Sequence, residues 1–157
     1  MIEQDLIERV LNEALKSGGE FAEVFVEDKR SSSAVFDDAK VEELTSGRDR
    51  GAGIRVVAGE TTGFAHTADL SEDGLMIAAR AAASATRSAG ASSRTNVLER
   101  VVAPSPNQVE TFPELVAKER KVNLLIQADE VARSQGAAIT QVSARYGDSR
   151  RKILVAN

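Results

Sequence analysis

Cysteine is absent from these 157 residues, and histidine occurs once. Without thiols there are no disulfides and no thiolate metal ligands. A hydrolytic zinc site usually takes three protein ligands, commonly His with a carboxylate or Cys; His66 alone does not make that set. Tryptophan is also absent and aromatics are only 4%, so the core must be aliphatic and alanine-rich. No apolar run approaches the roughly 20 residues of a membrane span. The start, Met1-Ile2-Glu3-Gln4-Asp5, lacks the basic and apolar regions of a standard signal peptide. Basic charge is not in excess either: the net charge is −4 and the pI about 5.2, whereas a duplex-binding domain usually shows a basic face or a high pI. These absences point to a cytoplasmic protein with no membrane and no direct nucleic-acid partner.

What remains is ordinary for a globular chain, with 42% hydrophobic and 28% charged residues. The length suits one domain with a real core, over residues 1–157. Leu6, Ile7, Val10, Leu11, Ala14 and Leu15 recur at helical spacing, and Gly18-Gly19 supplies a stop. A β region follows. Its apolar runs and turn residues predict strands over Ala22–Asp28, Ser31–Phe36, Val41–Ser46, Gly53–Ala58 and Thr62–Thr67, with Asp37-Asp38 as a turn. Ser71 reads as the N-cap of an alanine-rich helix, with Glu72 and Asp73 in its first turn and Leu70 and Leu75 as a hydrophobic staple. Gly90 is the expected stop.

Ala91–Thr111 reads as an irregular surface connection holding an extended piece, Val97–Val102. Thr111-Phe112-Pro113-Glu114 matches a capping box, opening a helix to about Ser134 with Leu115, Val122, Leu125, Ala128 and Ala132 as its stripe. Gly136 would end it. Ala138–Asn157 reads as two strands around a Gly147-Asp148 turn. The predicted fold is therefore α+β: an antiparallel meander sheet with helices packed on one face. The last residues, Ile153-Leu154-Val155-Ala156-Asn157, are apolar, whereas domain ends are more often polar and frayed. The expectation is a piece of a longer chain.

Five places in the sequence hold residue types that could carry chemistry. Gly51-Ala52-Gly53 gives only G-x-G and precedes a strand, whereas a dinucleotide cradle needs a helix N-terminus there. Its glycines suit hairpin geometry. His66 has no nucleophile elbow to serve, since G-x-S-x-G is absent, and reads as a strand histidine facing solvent or a neighbouring domain. Asp37-Asp38 and Glu42-Glu43 do not converge, because adjacent strand residues point to opposite faces. Arg150-Arg151-Lys152 reads as a solvated turn. Arg48, Arg50 and Arg55 could grip a carboxylate or phosphate, against a bland alternative of a solvated rim paired with acids such as Glu42 and Glu43. No catalytic or metal residue is assigned. The candidates for substrate or subunit contact are Arg48, Arg50, Arg55, Phe64 and His66. Free strand edges would admit an extended peptide.

In order, "AEVFVEDKRSSS", "VEELTSGRDRGAGIRVV" and "GFAHTADLS" resemble the N-terminal domain of the TldD/PmbA family, with the hairpin closer to its TldD branch. The preceding helix and "ITQVSARYGDSRRKILVAN" also fit. The resemblance implies a metallopeptidase family, also known as modulators of DNA gyrase, that matures modified peptides and degrades unfolded ones. TldD-like and TldE-like subunits pair, and the TldD-like one carries zinc on an HExxxH motif and a later Cys. None of those residues is present here. On this reading the chain has no cofactor of its own and zinc belongs to the full-length parent. Expected partners are a TldE/PmbA-like subunit or itself, and an extended peptide. The alternative is a stand-alone, non-catalytic peptide-binding or assembly module.

Overall fold

The computed structural model describes residues 2–86, 101 and 108–157. The elements run α1 (Gln4–Leu15), β1 (Phe21–Asp37), β2 (Lys40–Ala58), β3 (Thr61–Thr67), α2 (Glu72–Ser84), α3 (Lys118–Arg133) and β4 (Ser143–Ala156). The four strands form one antiparallel sheet in the order β3-β2-β1-β4. The fold is thus α+β with an antiparallel sheet. The expected Gly90 stop lies outside the described residues, as does the extended piece Val97–Val102 apart from Val101.

The strand count differs from the sequence reading. Two predicted strands merge into β1 of 17 residues and two more into β2 of 19. Charged Lys29-Arg30 and the glycine-bearing stretch 47–52 lie between the predicted strands. In the structure Gly47, Gly51 and Gly53 keep extended backbone within β2, since positive φ among the described glycines falls only at Gly18, Gly59 and Gly136. The true turns are short. Asp38 and Ala39 both have positive φ, 44° and 64°, as a two-residue type I′ hairpin loop requires. Gly59, at φ 56°, turns β2 into β3, with Ala58 opposite Thr61 and Gly53 opposite His66. β4 is likewise a single strand that runs straight through Gly147-Asp148. Gly147 there is simply another extended residue.

The chain forms two compact units. The first comprises Met1–Asp28, Arg50–Pro104 and Lys152–Asn157. Its core is the aliphatic and alanine-rich one expected. Ile7, Val10, Leu11 and Leu15 of α1 meet Val24, Val26, Ile54 and Val56 of the sheet and Leu75, Ala79 and Ala82 of α2. Burying each of the larger side chains is worth about 1.5–3 kcal/mol. Alternation does the sorting: Ala22, Val24 and Val26 are buried while Phe21 and Phe25 are exposed. Within this unit the helices therefore cover one face of the sheet. Arg9 pairs with Glu72 at 3.1 Å and Arg80 with Glu13 at 2.7 Å, linking α1 to α2.

The start of α2 is as read from the sequence. Ser71 Oγ accepts a hydrogen bond from the Gly74 amide at 3.2 Å. Leu75 is fully buried, and Leu70 packs against the same cluster. Replacing Ser71 with Ala is expected to cost about 1 kcal/mol. Urea unfolding should show a lower midpoint with an unchanged slope.

The second unit comprises Lys29–Asp49 and Ser105–Arg151. Its smaller core joins Ala34 and Phe36 of β1 to Leu125 of α3, with Ile126, Ala144 and Tyr146 alongside. Here α3 corrects the sequence reading twice. It begins at Lys118, after a separate 3-10 turn at Pro113–Leu115, and its N-cap Ala117 has no side-chain cap. The capping box fails because Glu114 does not reach back toward Thr111; it pairs with Arg150 at 2.5 Å. The buried stripe is also rotated. Lys121, Leu125 and Asp129 face inward, while Leu115 is exposed. The Gly136 stop stands, at φ 140°.

Candidate functional site

The first unit leaves one sheet face bare. Odd-numbered strand residues opposite the helical side place Phe21 and Phe25 of β1 and Ile153 and Val155 of β4 in solvent. On the same surface the β2–β3 register sets Arg55 opposite Phe64 and Gly53 opposite His66. The Phe64 ring, 63% exposed, stacks on His66 with centroids 6.4 Å apart. A side chain on residue 53 would crowd that ring, since a Cβ there would lie 3.1 Å from Phe64 Cε2. The Arg55 guanidinium lies 5.6 Å from the Phe21 ring centroid and 3.5 Å from Glu23 Oε1. The structure thus brings Arg55, Phe64 and His66 together. Arg50, in the same unit, lends its charge to Asp69, whose carboxyl is held below its usual range first by hydrogen bonds from Ser71.

Arg48 belongs to the second unit, where it lines an open trough of about 420 Å³. The trough floor carries a buried polar triangle. Lys121 Nζ is 2.7 Å from Asp148 Oδ2. It donates to Ser32 Oγ at 2.8 Å, and Ser32 Oγ donates to Asp148 Oδ2 at 2.7 Å. Burial would push the Asp148 carboxyl up, but hydrogen bonds from Lys121, Ser32 and Tyr146 together hold it below the ordinary value. The same neighbourhood pushes Tyr146 up, through burial first and then its bond to Asp148. On the wall, Arg150 pairs with Glu114 and stacks 3.3 Å from the Phe112 ring centroid. Arg150 is thus a packed strand residue, not part of a solvated turn as its basic run suggested.

The other expectations resolve simply. Asp37 accepts from Gln141 at 3.3 Å, and Asp38 pairs with Arg133 at 2.6 Å. The two carboxylates have separate partners and no common focus. Glu42 and Glu43 are both exposed. Among the described residues, no cluster of three or more His, Cys, Asp or Glu side chains is placed to hold a metal ion. The donor set of the described residues therefore does not fit the zinc that the resemblance implies. Among the described residues no helix is long and apolar enough to cross a membrane.

Residues 22–86 match a family described as PmbA/TldA metallopeptidase domain 1. The chain carries the N-terminal domain of the TldD/PmbA family. A metalloprotease TldD homolog from Haemophilus influenzae is 28% identical over 87% of the chain and 28% of that protein. The one from Buchnera aphidicola of Acyrthosiphon pisum is 26% identical over 88% of the chain and 28% of that protein. The chain thus spans about a quarter of the length of these TldD/PmbA relatives. Two solved structures share its fold. A Bacteroides thetaiotaomicron protein described as a modulator of DNA gyrase aligns over 99% of the chain and 37% of its own, with TM-score 0.75 and 16% identity. TldE from Thermococcus kodakarensis aligns over 96% of the chain and 35% of its own, with TM-score 0.66 and 16% identity.

Proposed function

We propose that this chain serves as the N-terminal domain of a TldD-like zinc metallopeptidase that matures peptides and degrades unfolded ones in the cytoplasm. It shapes the chamber, guides extended peptide and pairs with a TldE/PmbA-like subunit or with itself. Zinc would be held by residues other than these, where it would supply Lewis-acid activation of water for hydrolysis. The observation that carries this reading is the domain-1 match over residues 22–86. Arg55, Phe64 and His66 offer peptide or subunit a cationic and aromatic patch on the bare sheet face of the first unit. That face suits extended chains, since its aromatic rings can lie against a backbone of any sequence.

The full-length product is expected to bind zinc and cleave unfolded peptides, and the 157-residue chain to do neither. Metal analysis and a fluorogenic peptide assay on both measure this, alongside a search of the coding sequence past Asn157 for HExxxH and a later Cys. A zinc-free, inactive full-length product would favour a stand-alone binding or assembly module.

A further inference from the structure

We propose that the trough of the second unit binds the terminal carboxylate of a peptide. The inference rests on the peptide-handling role above and gives it a location and a chemistry. The trough's two carboxylates are already engaged, Asp148 with Lys121 at 2.7 Å and Glu114 with Arg150 at 2.5 Å. Further cations line it, Arg30 and Lys118 among them. Among the described residues no third carboxylate does, so the lining carries a surplus of positive charge that an incoming anion neutralises. Arg30 and Lys118 are both exposed, so they meet the ligand without first being stripped from a core.

A second feature selects the kind of anion. Glu114 Oε2 is buried and has no hydrogen-bond partner among the described residues. An orphaned buried acceptor is costly until a donor reaches it. Inorganic phosphate offers mostly acceptors and would repel that oxygen. The last residue of a peptide carries a carboxylate and, within the same residue, an amide N–H. The carboxylate meets Arg30 and Lys118 while the amide donates to Glu114 Oε2. Pro113 and Val116 supply an apolar wall for the terminal side chain.

The test is a titration of the 157-residue chain with N-acetyl-Ala-Ala-Ala, followed by amide NMR shifts. The free acid should saturate shifts at Arg30, Glu114 and Lys118. The C-terminal amide of the same peptide should bind about tenfold more weakly or worse, since charge-assisted hydrogen bonds are worth that much. N-acetyl-Ala-Ala-Pro, with no terminal N–H, should also lose affinity. The double variant Arg30→Gln with Lys118→Gln should weaken the free acid tenfold or more and leave Tm unchanged. Equal binding of acid and amide, no saturable binding of the acid, or equal competition by inorganic phosphate would overturn the site. Such a failure beside a zinc-loaded, active full-length product strikes this site alone. An inactive, zinc-free full-length product strikes the peptidase reading instead.

Discussion

Replacing Asp148 with Ala should destabilise the protein by about 3–5 kcal/mol, because it leaves the Lys121 ammonium buried without its counter-ion. The Lys121 side chain is 5% exposed and that of Asp148 13%, so water cannot take over the lost contact. The pair itself is a different matter. Two charges taken out of water lose solvation that their attraction only roughly repays. A double variant, Lys121→Met with Asp148→Leu, is therefore expected to fall well short of the single variant's loss. Urea unfolding of both separates the cost of an orphaned charge from the worth of the pair. A single-variant loss below about 1 kcal/mol would mean that Lys121 swings out to solvent.

The same carboxylate sets an acid limit. Its pKa is lower folded than unfolded, as the bonds from Lys121, Ser32 and Tyr146 favour the charged form over burial. The stability it contributes is full above the unfolded value of about 3.9 and drains away as pH falls through the folded value. The Asp148→Ala variant should accordingly show a flatter stability profile than the parent below about pH 4.

The first unit was the more legible half, because its elements obey local rules. Ile7, Val10, Leu11 and Ala14 lie on one helical stripe, and all are buried. Ser71 caps α2 as its position implied. The strands were over-divided because polar residues were read as breaks. An exposed strand face accepts Arg30 and Asp49 without ending a strand, and glycine in extended backbone leaves no mark in the sequence. The second unit resisted for a different reason. Its helix buries Lys121 and Asp129, and periodicity seeks apolar residues. Asp129 is paired with Arg133 one turn on, but Lys121 finds Ser32 across 89 positions, and Ser32 in turn meets Asp148 across 116. Glu114 and Arg150 likewise meet across 36 positions. Of the candidate contacts, Arg55, Phe64 and His66 were within reach of sequence because strand alternation and hairpin register set them on one surface. The trough, assembled from segments distant in sequence, was not.

Alanine at position 63 should cost about 3 kcal/mol, the upper end of the usual range for overpacking. A Cβ there would sit 2.0 Å from the Ala82 carbonyl oxygen and 3.1 Å from Ala85 Cβ. Both belong to the C-terminal end of α2, whose backbone rests directly on β3. The alanines of that helix make the approach possible, since Ala79, Ala82 and Ala83 are all buried with no long side chain to hold the axis away. Gly63 completes the fit from the sheet side. The variant can relieve the clash only by lifting α2, which also loosens Leu75 from the core. Gly47→Ala is the matched control: its Cβ would lie 4.0 Å from Ser31 Oγ with nothing nearer, in extended backbone any residue adopts. That change should be neutral or stabilise by about 0.4–1 kcal/mol through the unfolded chain. Guanidinium unfolding should therefore lower the midpoint for Gly63→Ala and not for Gly47→Ala; equal midpoints would show that α2 does not lie this close to β3.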